Sequence, residues 1–342
     1  MIMNIIEKYQ LAYNKLRSAK HLLVVGHTSP DADALSSIGA IIEVAKGMSL
    51  DVRAYADRKP DGVFGFIPFE NLVSSEEPDN LLFFDLIIIL DCGSISRTGL
   101  EARIRTLLKA DEAKKLAHRP YIIEIDHHQP QEKYADLEIR LPDKASTTEI
   151  IYAFLKANNI KISKTMANCI LVGLITDTGN FLHDNSTREV MAVSSEMLLG
   201  GASFPKIISN TVNNKSFLSL KVWGLALNYL DFNQDTGLAV SALRQADLDN
   251  LSDGRGTEDV GILCGGIVSF MAGIKGVKVA LFLREENGFV KGSLRTDQDG
   301  IDVAKIAANW QGGGHKKAAG FSLSGRLKRQ DNKWIIERKL GN

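Results

Sequence analysis

Short runs rich in Val, Ile and Leu punctuate the first half of the chain and alternate with stretches whose apolar positions recur every three to four residues. HLLVVGH (21–27), DVRAYAD (51–57), DLIIILD (85–91) and YIIEID (121–126) are the strand candidates. Their continuous apolar content predicts strands covered on both faces, as in a parallel sheet. The helical period runs through ALSSIGAIIEVAKG, closed by Gly47, and through 100–116, 146–157, 163–175 and 187–199. Alternation of this kind predicts an α/β domain built on a doubly wound, mainly parallel sheet.

Near Gly200-Gly201 the pattern changes. A helical stretch over 203–230 precedes the strand candidates TGLAVSAL, KVALFLRE and GFVKGSLRT, with helices near 258–271 and 301–309. The segment Glu286-Asn287-Gly288 between two of those strands is a hairpin signal. The division that follows is a domain over 1–204, a helical linker over 205–230 and a smaller α+β domain over 231–342, with an active-site cleft expected between the domains. A length of 342 residues suits two domains with real cores.

Composition removes several classes. With 44% hydrophobic and 24% charged residues the chain is neither disordered nor a disulfide scaffold. Lys and Arg total 41 and so do Asp and Glu, so the broad basic surface that grips long duplex nucleic acid is not expected. Cys92, Cys169 and Cys264 are odd in number and widely spaced, which fits a reducing cytoplasm better than a disulfide framework or zinc ribbon. The N-terminus is interrupted by Glu7, Lys8, Lys15 and Arg17, unlike a signal peptide. LLFFDLIIIL is broken by Asp85 and falls short of the roughly 20 residues a membrane span needs. The expectation is a soluble cytoplasmic protein with no membrane partner.

The chemistry gathers at the ends of the predicted strands. The first runs into His27-Thr-Ser-Pro-Asp31-Ala-Asp33, the third ends in Asp91-Cys92-Gly93-Ser94, and the fourth in Asp126-His127-His128. ITDTGNF places Asp177 after an apolar helical run. Ligands of open α/β sheets bind outside the carboxyl ends of strands, so these segments are able to converge. Singly, each has a plainer reading: Asp31 or Asp33 as a helix N-cap, Asp91 as a turn former, His27 as a structural histidine. Their conjunction favours a site for divalent metal of the Mn²⁺ type, and the set is large enough for two ions about 3.5–4 Å apart sharing one carboxylate. His21, His118 and His183 look incidental beside His27, His127, His128 and His315.

In the second half, Gly312-Gly313-Gly314 carry no side chains, a means of bringing backbone N–H groups to an anion. His315, Lys316 and Lys317 follow, and Arg295 on a neighbouring strand suits bidentate phosphate binding. A simple glycine-rich turn is the alternative.

HTSPDADALSS, LDCGS, the DHH at 126–128 and TDTGNF resemble the four successive motifs of DHH-family phosphoesterases. GSLRT and GIDVAKIAANWQGGGHKKAAGF resemble the DHH-associated C-terminal domain, whose GGGH segment faces the metal site across a cleft. The likeness covers nearly the whole chain and is nearest to nano-RNases, adenosine bisphosphate (pAp) phosphatases and stand-alone cyclic-dinucleotide phosphodiesterases. It implies that His27, Asp31 and Asp91 hold one Mn²⁺ and that Asp33, Asp91, His127 and Asp177 hold a second, with Co²⁺ or Mg²⁺ as substitutes. His128 would act on the scissile phosphate while Asp126 orients the histidine pair. Arg295, Gly312, Gly313, Gly314 and His315 would bind the substrate. Ala32 and Ser36 stand where the family commonly has Gly, which bears on loop shape. The implied function is Mn-dependent hydrolysis of short oligoribonucleotides, pAp or dinucleotides, and a homodimer is compatible with the sequence. An exopolyphosphatase and a non-catalytic nucleotide receptor are the alternatives.

Overall fold

The computed structural model describes residues 3–60, 62–129, 132–211, 215–251, 260–330 and 333–337. It divides into two compact units, Met1–Asn214 and Lys215–Asn342.

The first unit is built on strands β1 (His21–Val25), β2 (Asp51–Tyr55), β3 (Val73–Ser74), β4 (Leu86–Leu90), β5 (Tyr121–Asp126) and β6 (Leu137–Arg140). Its helices are α1 (Ile5–Ser18), α2 (Ala32–Gly47), α3 (Glu101–Glu112), α4 (Thr147–Ala157), α5 (Lys164–Asp177), α6 (Arg188–Leu199) and α7 (Phe204–Thr211). All six strands pair in parallel, in the order β3-β2-β1-β4-β5-β6. Alternate side chains explain the unbroken apolar runs. Leu22, Val24, Leu86, Ile88 and Leu90 enter one core with helices α1, α2, α4, α5 and α6. Leu23, Val25, Ile87 and Ile89 enter a second core on the opposite face with Leu100 and Ile104. Neither face of the central strands meets water, as the doubly wound reading requires.

Strands β3 and β6 escaped the sequence reading. The first is two residues long, and LEIR in β6 alternates buried Leu137 and Ile139 with half-buried charges, too briefly to register as a period. Helix starts were better marked: Asn4, Asp31, Ser146, Ser163 and Thr187 each cap a following helix through the side chain.

The second unit contains α8 (Phe217–Asn228), β7 (Asp231–Asn233), β8 (Leu238–Leu243), α9 (Gln245–Leu251), α10 (Val260–Leu263) and α11 (Ile267–Ala272). These are followed by β9 (Val279–Glu286), β10 (Phe289–Arg295), α12 (Val303–Ala308), β11 (Gly313–His315), β12 (Ala318–Ser324), β13 (Arg326–Gln330) and β14 (Lys333–Glu337). A mixed sheet runs β11-β12-β10-β9-β8-β7, and β13 and β14 form a separate ribbon. The expected hairpin is present: Glu286 pairs with Phe289 across Asn287 and Gly288, both at positive φ, the conformation a two-residue loop of this hand needs.

Two sequence expectations read differently in the structure. The helical stretch over 205–230 is two helices, and the unit boundary falls between them. Ile207 of α7 packs in the core of the first unit, while Val222 and Ala226 of α8 pack in the second. The helix expected near 258–271 is α10 and α11, separated at Gly265-Gly266, where Gly266 adopts φ 88°. Residues 258 and 259 lie outside the described residues.

The buried apolar faces carry the stability of the first unit. Ile88→Ala, at a site 3% exposed, is expected to cost about 2–5 kcal/mol. Leu199→Ala, at a site 88% exposed, should stay within about 0.5 kcal/mol. Urea unfolding of both variants checks the contrast, and equal losses would contradict this core assignment.

Candidate metal centre

Strand order reverses beside β1: β2 lies on one side and β4 on the other. Chain leaving adjacent strands in opposite directions opens a crevice at their carboxyl ends. His27 leaves β1 there, Asp91 leaves β4, and the histidine pair leaves β5.

Three sets of ligand atoms meet within 4.8 Å of one another: His27, Asp31 and Asp91; Asp33, His127 and Asp177; and Asp91, His127 and His128. His127 Nε2 lies 3.4 Å from both Asp91 Oδ1 and Asp177 Oδ2, which joins Asp91 to the second set. The structure therefore brings together every metal residue that the resemblance implies, with Asp91 common to both groups. Asp31 satisfies both of its readings. Its Oδ1 accepts the Ala34 N–H at 3.1 Å as an N-cap, and its Oδ2 faces His27 Nε2 at 3.7 Å.

Asp91 occupies the left-handed region, at φ 59°, a strained conformation for a residue with a side chain. The turn aims its carboxylate back over the strand end, where Thr147 Oγ1 donates to Oδ1 at 2.9 Å. Asp33 is fully buried and is held by the first turn of α4. The Thr147 N–H donates to Oδ2 at 2.7 Å, and the Thr148 N–H and hydroxyl donate to Oδ1 at 3.2 and 2.8 Å. A helix N-terminus is a natural seat for a carboxylate. Gly173 of α5 lets these groups come so close, since a β-carbon there would overlap Asp33 Oδ1 and Thr148 Oγ1.

The three residues of the DHH segment face different partners. Asp126 is buried, accepts from the His128 N–H and ring Nδ1 at 2.8 Å each, and accepts from the Gly93 N–H through its other oxygen. Burial alone would raise Asp126, but the His128 hydrogen bonds and the nearby Arg140 charge outweigh it and hold the group at about 2. His127 Nδ1 lies 3.4 Å from the Lys144 carbonyl, which orients Nε2 toward Asp91 and Asp177. Burial also lowers the basicity of His127, favouring the neutral ligand form. Beneath them, Arg140 of β6 bonds to Glu124 and donates to the carbonyls of Gly93 and His128 at 3.2 and 3.3 Å. Tyr134 Oη donates to the same Glu124 at 2.6 Å.

The residues present fit divalent cations. Burial, followed by the surrounding carboxylates Asp33, Asp31, Asp177 and Asp126, pushes Asp91 well above the usual carboxylate range. Burial and neighbouring carboxylates likewise raise Asp177, and burial raises Asp33. His27 Nε2 is buried without a hydrogen-bond partner among the described residues. Several carboxylates crowded together beside an unsatisfied imidazole nitrogen call for a positive ion, and the oxygen-and-nitrogen donor set suits Mn²⁺.

Sequence reasoning missed Thr147, Thr148, Gly173, Arg140 and Glu124. Signals existed for some of them: Ser146-Thr147-Thr148-Glu149 reads as a helix start, and Glu124 interrupts an apolar strand. The incidental His183 packs against Gly179 on the loop that follows Asp177.

In the second unit, Arg295 pairs with Ala318 in β12, and Ala318 pairs with His315 in β11. Directly opposed residues share a face, so Arg295 and His315 flank the small Ala318 about 10 Å apart. Arg295 Nε is buried without a partner among the described residues, and burial lowers its basicity. The glycine segment differs from a simple open turn. Gly313 and Gly314 pair with β12, the Gly312 N–H donates to Ala307, and side chains at 312 and 314 would meet backbone. Gly313 alone of the three has open space around its Cα.

Because Asp91, Asp177 and Asp33 are raised on folding, their repulsion opposes folding above the ordinary carboxylate range, roughly pH 4, and fades as they protonate. Mn²⁺ should therefore raise the midpoint of thermal unfolding, by about 2.7 kcal/mol equivalent at 100 times Kd. The increment should shrink between pH 7.5 and 5. Thermal melts at both pH values test this, and an increment independent of pH would contradict it.

Comparison with known proteins agrees with this geometry. The DHH family, N-terminal domain, matches residues 21–174, and the DHHA1 domain matches residues 258–339. A bifunctional oligoribonuclease and PAP phosphatase NrnA of Thermus thermophilus is 26% identical over 93% of this chain and 89% of its own length. The cyclic-di-AMP phosphodiesterase GdpP of Geobacillus thermodenitrificans is 23% identical over 89% of this chain and 44% of its own. The crystal structure of an exopolyphosphatase-related protein from Bacteroides fragilis superposes with a TM-score of 0.81 at 24% identity, covering 93% of this chain and 91% of that one, which supports the fold. No helix among the described residues is long and apolar enough to cross a membrane. With both matched domains in order and the motif residues gathered at one strand-order reversal, the chain carries a DHH-family N-terminal domain followed by a DHHA1 domain.

Proposed function

We propose that this hydrolase of phosphodiester or phosphate bonds is Mn²⁺-dependent and acts on short nucleotides: oligoribonucleotides a few residues long, pAp, or dinucleotides. The observation that carries the reading is the pair of ligand groups joined through Asp91. His27, Asp31 and Asp91 would hold one ion, and Asp33, Asp91, His127 and Asp177 the other. Such ions, when bound, supply an activated water near neutral pH and neutralise phosphoryl oxygens.

The chain's own groups do the positioning. Thr147 and the α4 N-terminus keep Asp91 and Asp33 in place while leaving lone pairs on their carboxylates. Asp126 engages His128 Nδ1, so the proton His128 exchanges with substrate or leaving group is the one on Nε2. Arg295 and His315 would take a terminal phosphate of the substrate, the buried guanidinium finding there the acceptor its Nε lacks. Binding energy at that remote end would place the reacting phosphate. The equal numbers of acidic and basic residues provide no long phosphate track, which supports a preference for short chains.

The histidine roles separate experimentally. His127→Ala should lose Mn²⁺, whereas His128→Ala should keep it and lose about 10²–10⁴-fold in rate. Metal titration with turnover on a panel of pAp, pApA, cyclic di-AMP, pentanucleotide and polyphosphate tests both the roles and the substrate class. Retained Mn²⁺ in His127→Ala with loss in His128→Ala would reverse the roles, and exclusive turnover of polyphosphate would overturn the nucleotide assignment.

Arg295→Ala should lower kcat/KM strongly for pApA and much less for bis-p-nitrophenyl phosphate, which lacks a remote end. Parallel loss on both substrates would make Arg295 a residue of the fold.

A further inference from the structure

The loop that leaves β4 does more than deliver Asp91. It turns through the short helical segment Ile95–Thr98, with the Arg97 N–H donating to Ser94 and Thr98 Oγ1 donating to Ile95 at 2.6 Å. The Arg97 carbonyl accepts the Thr28 N–H at 2.7 Å, which ties this loop to the loop leaving β1 between His27 and Asp31. Gly99 closes the turn at φ 73°, where a β-carbon would strike Asp57. The backbone at Arg97 is thus fixed to both walls of the crevice.

Its side chain points to the reacting end of the site. A β-carbon on Gly93 would lie 3.2 Å from Arg97 Nη1 and 3.4 Å from the His128 ring, so the guanidinium and the imidazole pack around the same glycine. Arg103, Arg105, Arg119 and Arg140 are each held by a carboxylate within 4 Å. Arg97 is half-buried beside a site rich in Asp, yet no ion pair holds it among the described residues. The Arg97 charge acts on Asp31 at longer range, but a planar fork of donors with no carboxylate of a described residue within 4 Å, next to His128, is suited to the oxygens of a phosphoryl group.

We infer that Arg97 is a substrate-binding residue, holding a non-bridging oxygen of the reacting phosphoryl group beside His128. The inference rests on the phosphoesterase reading above and extends it. Arg295 would hold the remote end of the substrate, whereas Arg97 belongs to the phosphate at which the bond is broken. Every substrate of the enzyme therefore meets Arg97, including those too short to reach Arg295.

The test uses the Mn²⁺-loaded full chain and 5′-AMP as the probe, with calorimetric titration of wild type, Arg97→Gln and Arg97→Lys. Mn²⁺ stoichiometry and turnover of pApA and bis-p-nitrophenyl phosphate are followed in parallel. The expected result is AMP affinity lower by about 10- to 100-fold in Arg97→Gln, as for loss of a charged hydrogen bond. Partial recovery in Arg97→Lys, unchanged Mn²⁺ stoichiometry and similar losses on both substrates should accompany it. Unchanged AMP affinity in Arg97→Gln, with an active wild type, overturns the role of Arg97 and leaves the phosphoesterase reading intact. Loss of Mn²⁺ in both variants overturns it as well, making Arg97 a support of the metal groups. A wild type that binds AMP without hydrolysing any substrate refutes the phosphoesterase reading, and Arg97 is then judged on affinity alone. A wild type that neither binds nor hydrolyses refutes both.

Discussion

Mutual repulsion among carboxylates gathered at one end of a parallel sheet is the constraint on which the first unit depends. Asp31 and Asp33 share the segment that opens α2, Asp91 leaves β4 and Asp177 ends α5, and burial raises the cost of ionising Asp33, Asp91 and Asp177. The fold answers with positive ends of dipoles rather than with paired lysines. The first turn of α4 gives two backbone N–H groups and a hydroxyl to Asp33 and a second hydroxyl to Asp91. These bonds orient the oxygens without neutralising them, so the attraction for cations survives. A lysine in place of Thr147 would offset that repulsion and weaken the attraction for cations.

The packing of the helices follows from the same need. Helix α5 approaches α2 and α4 closely enough that only a glycine fits at 173, and its last residue is Asp177. One helix thereby supplies the space for Asp33 and a ligand of its own. Below the histidines, the buried network of Tyr134, Glu124, Arg140 and Asp126 fixes the chain that carries His127 and His128. Asp126 turns inward to this network, so its two neighbours are able to face the crevice with separate tasks. A buried charged network of this kind is costly to assemble and fixes geometry when every member is engaged.

The second unit uses a different device. Rather than loops at strand ends, neighbouring strands set Arg295 and His315 on one face with only an alanine between them. The glycines beside them serve packing at 312 and 314, where side chains would meet backbone, and openness at 313. In the proposed reading, anion binding there would fall chiefly to the two side chains.

The strand–helix alternation, the hairpin at Asn287-Gly288 and all six proposed metal ligands were legible in the sequence, because each depends on local pattern or on an unmistakable motif. Burial on both faces makes the central strands continuously apolar, and helix caps announce themselves by residue type. Strand β6, the division of 205–230 between two cores and the break at Gly265-Gly266 were not legible, since each is decided by what the segment packs against. The same holds for the site's supports. Nothing local marks Thr148 as a partner of Asp33, Gly173 as the space both require, or Arg97 as a neighbour of His128. Those relations join residues dozens to more than a hundred positions apart. A sequence records the chemical type of each residue, while only the folded chain decides which of them share a few ångströms of space.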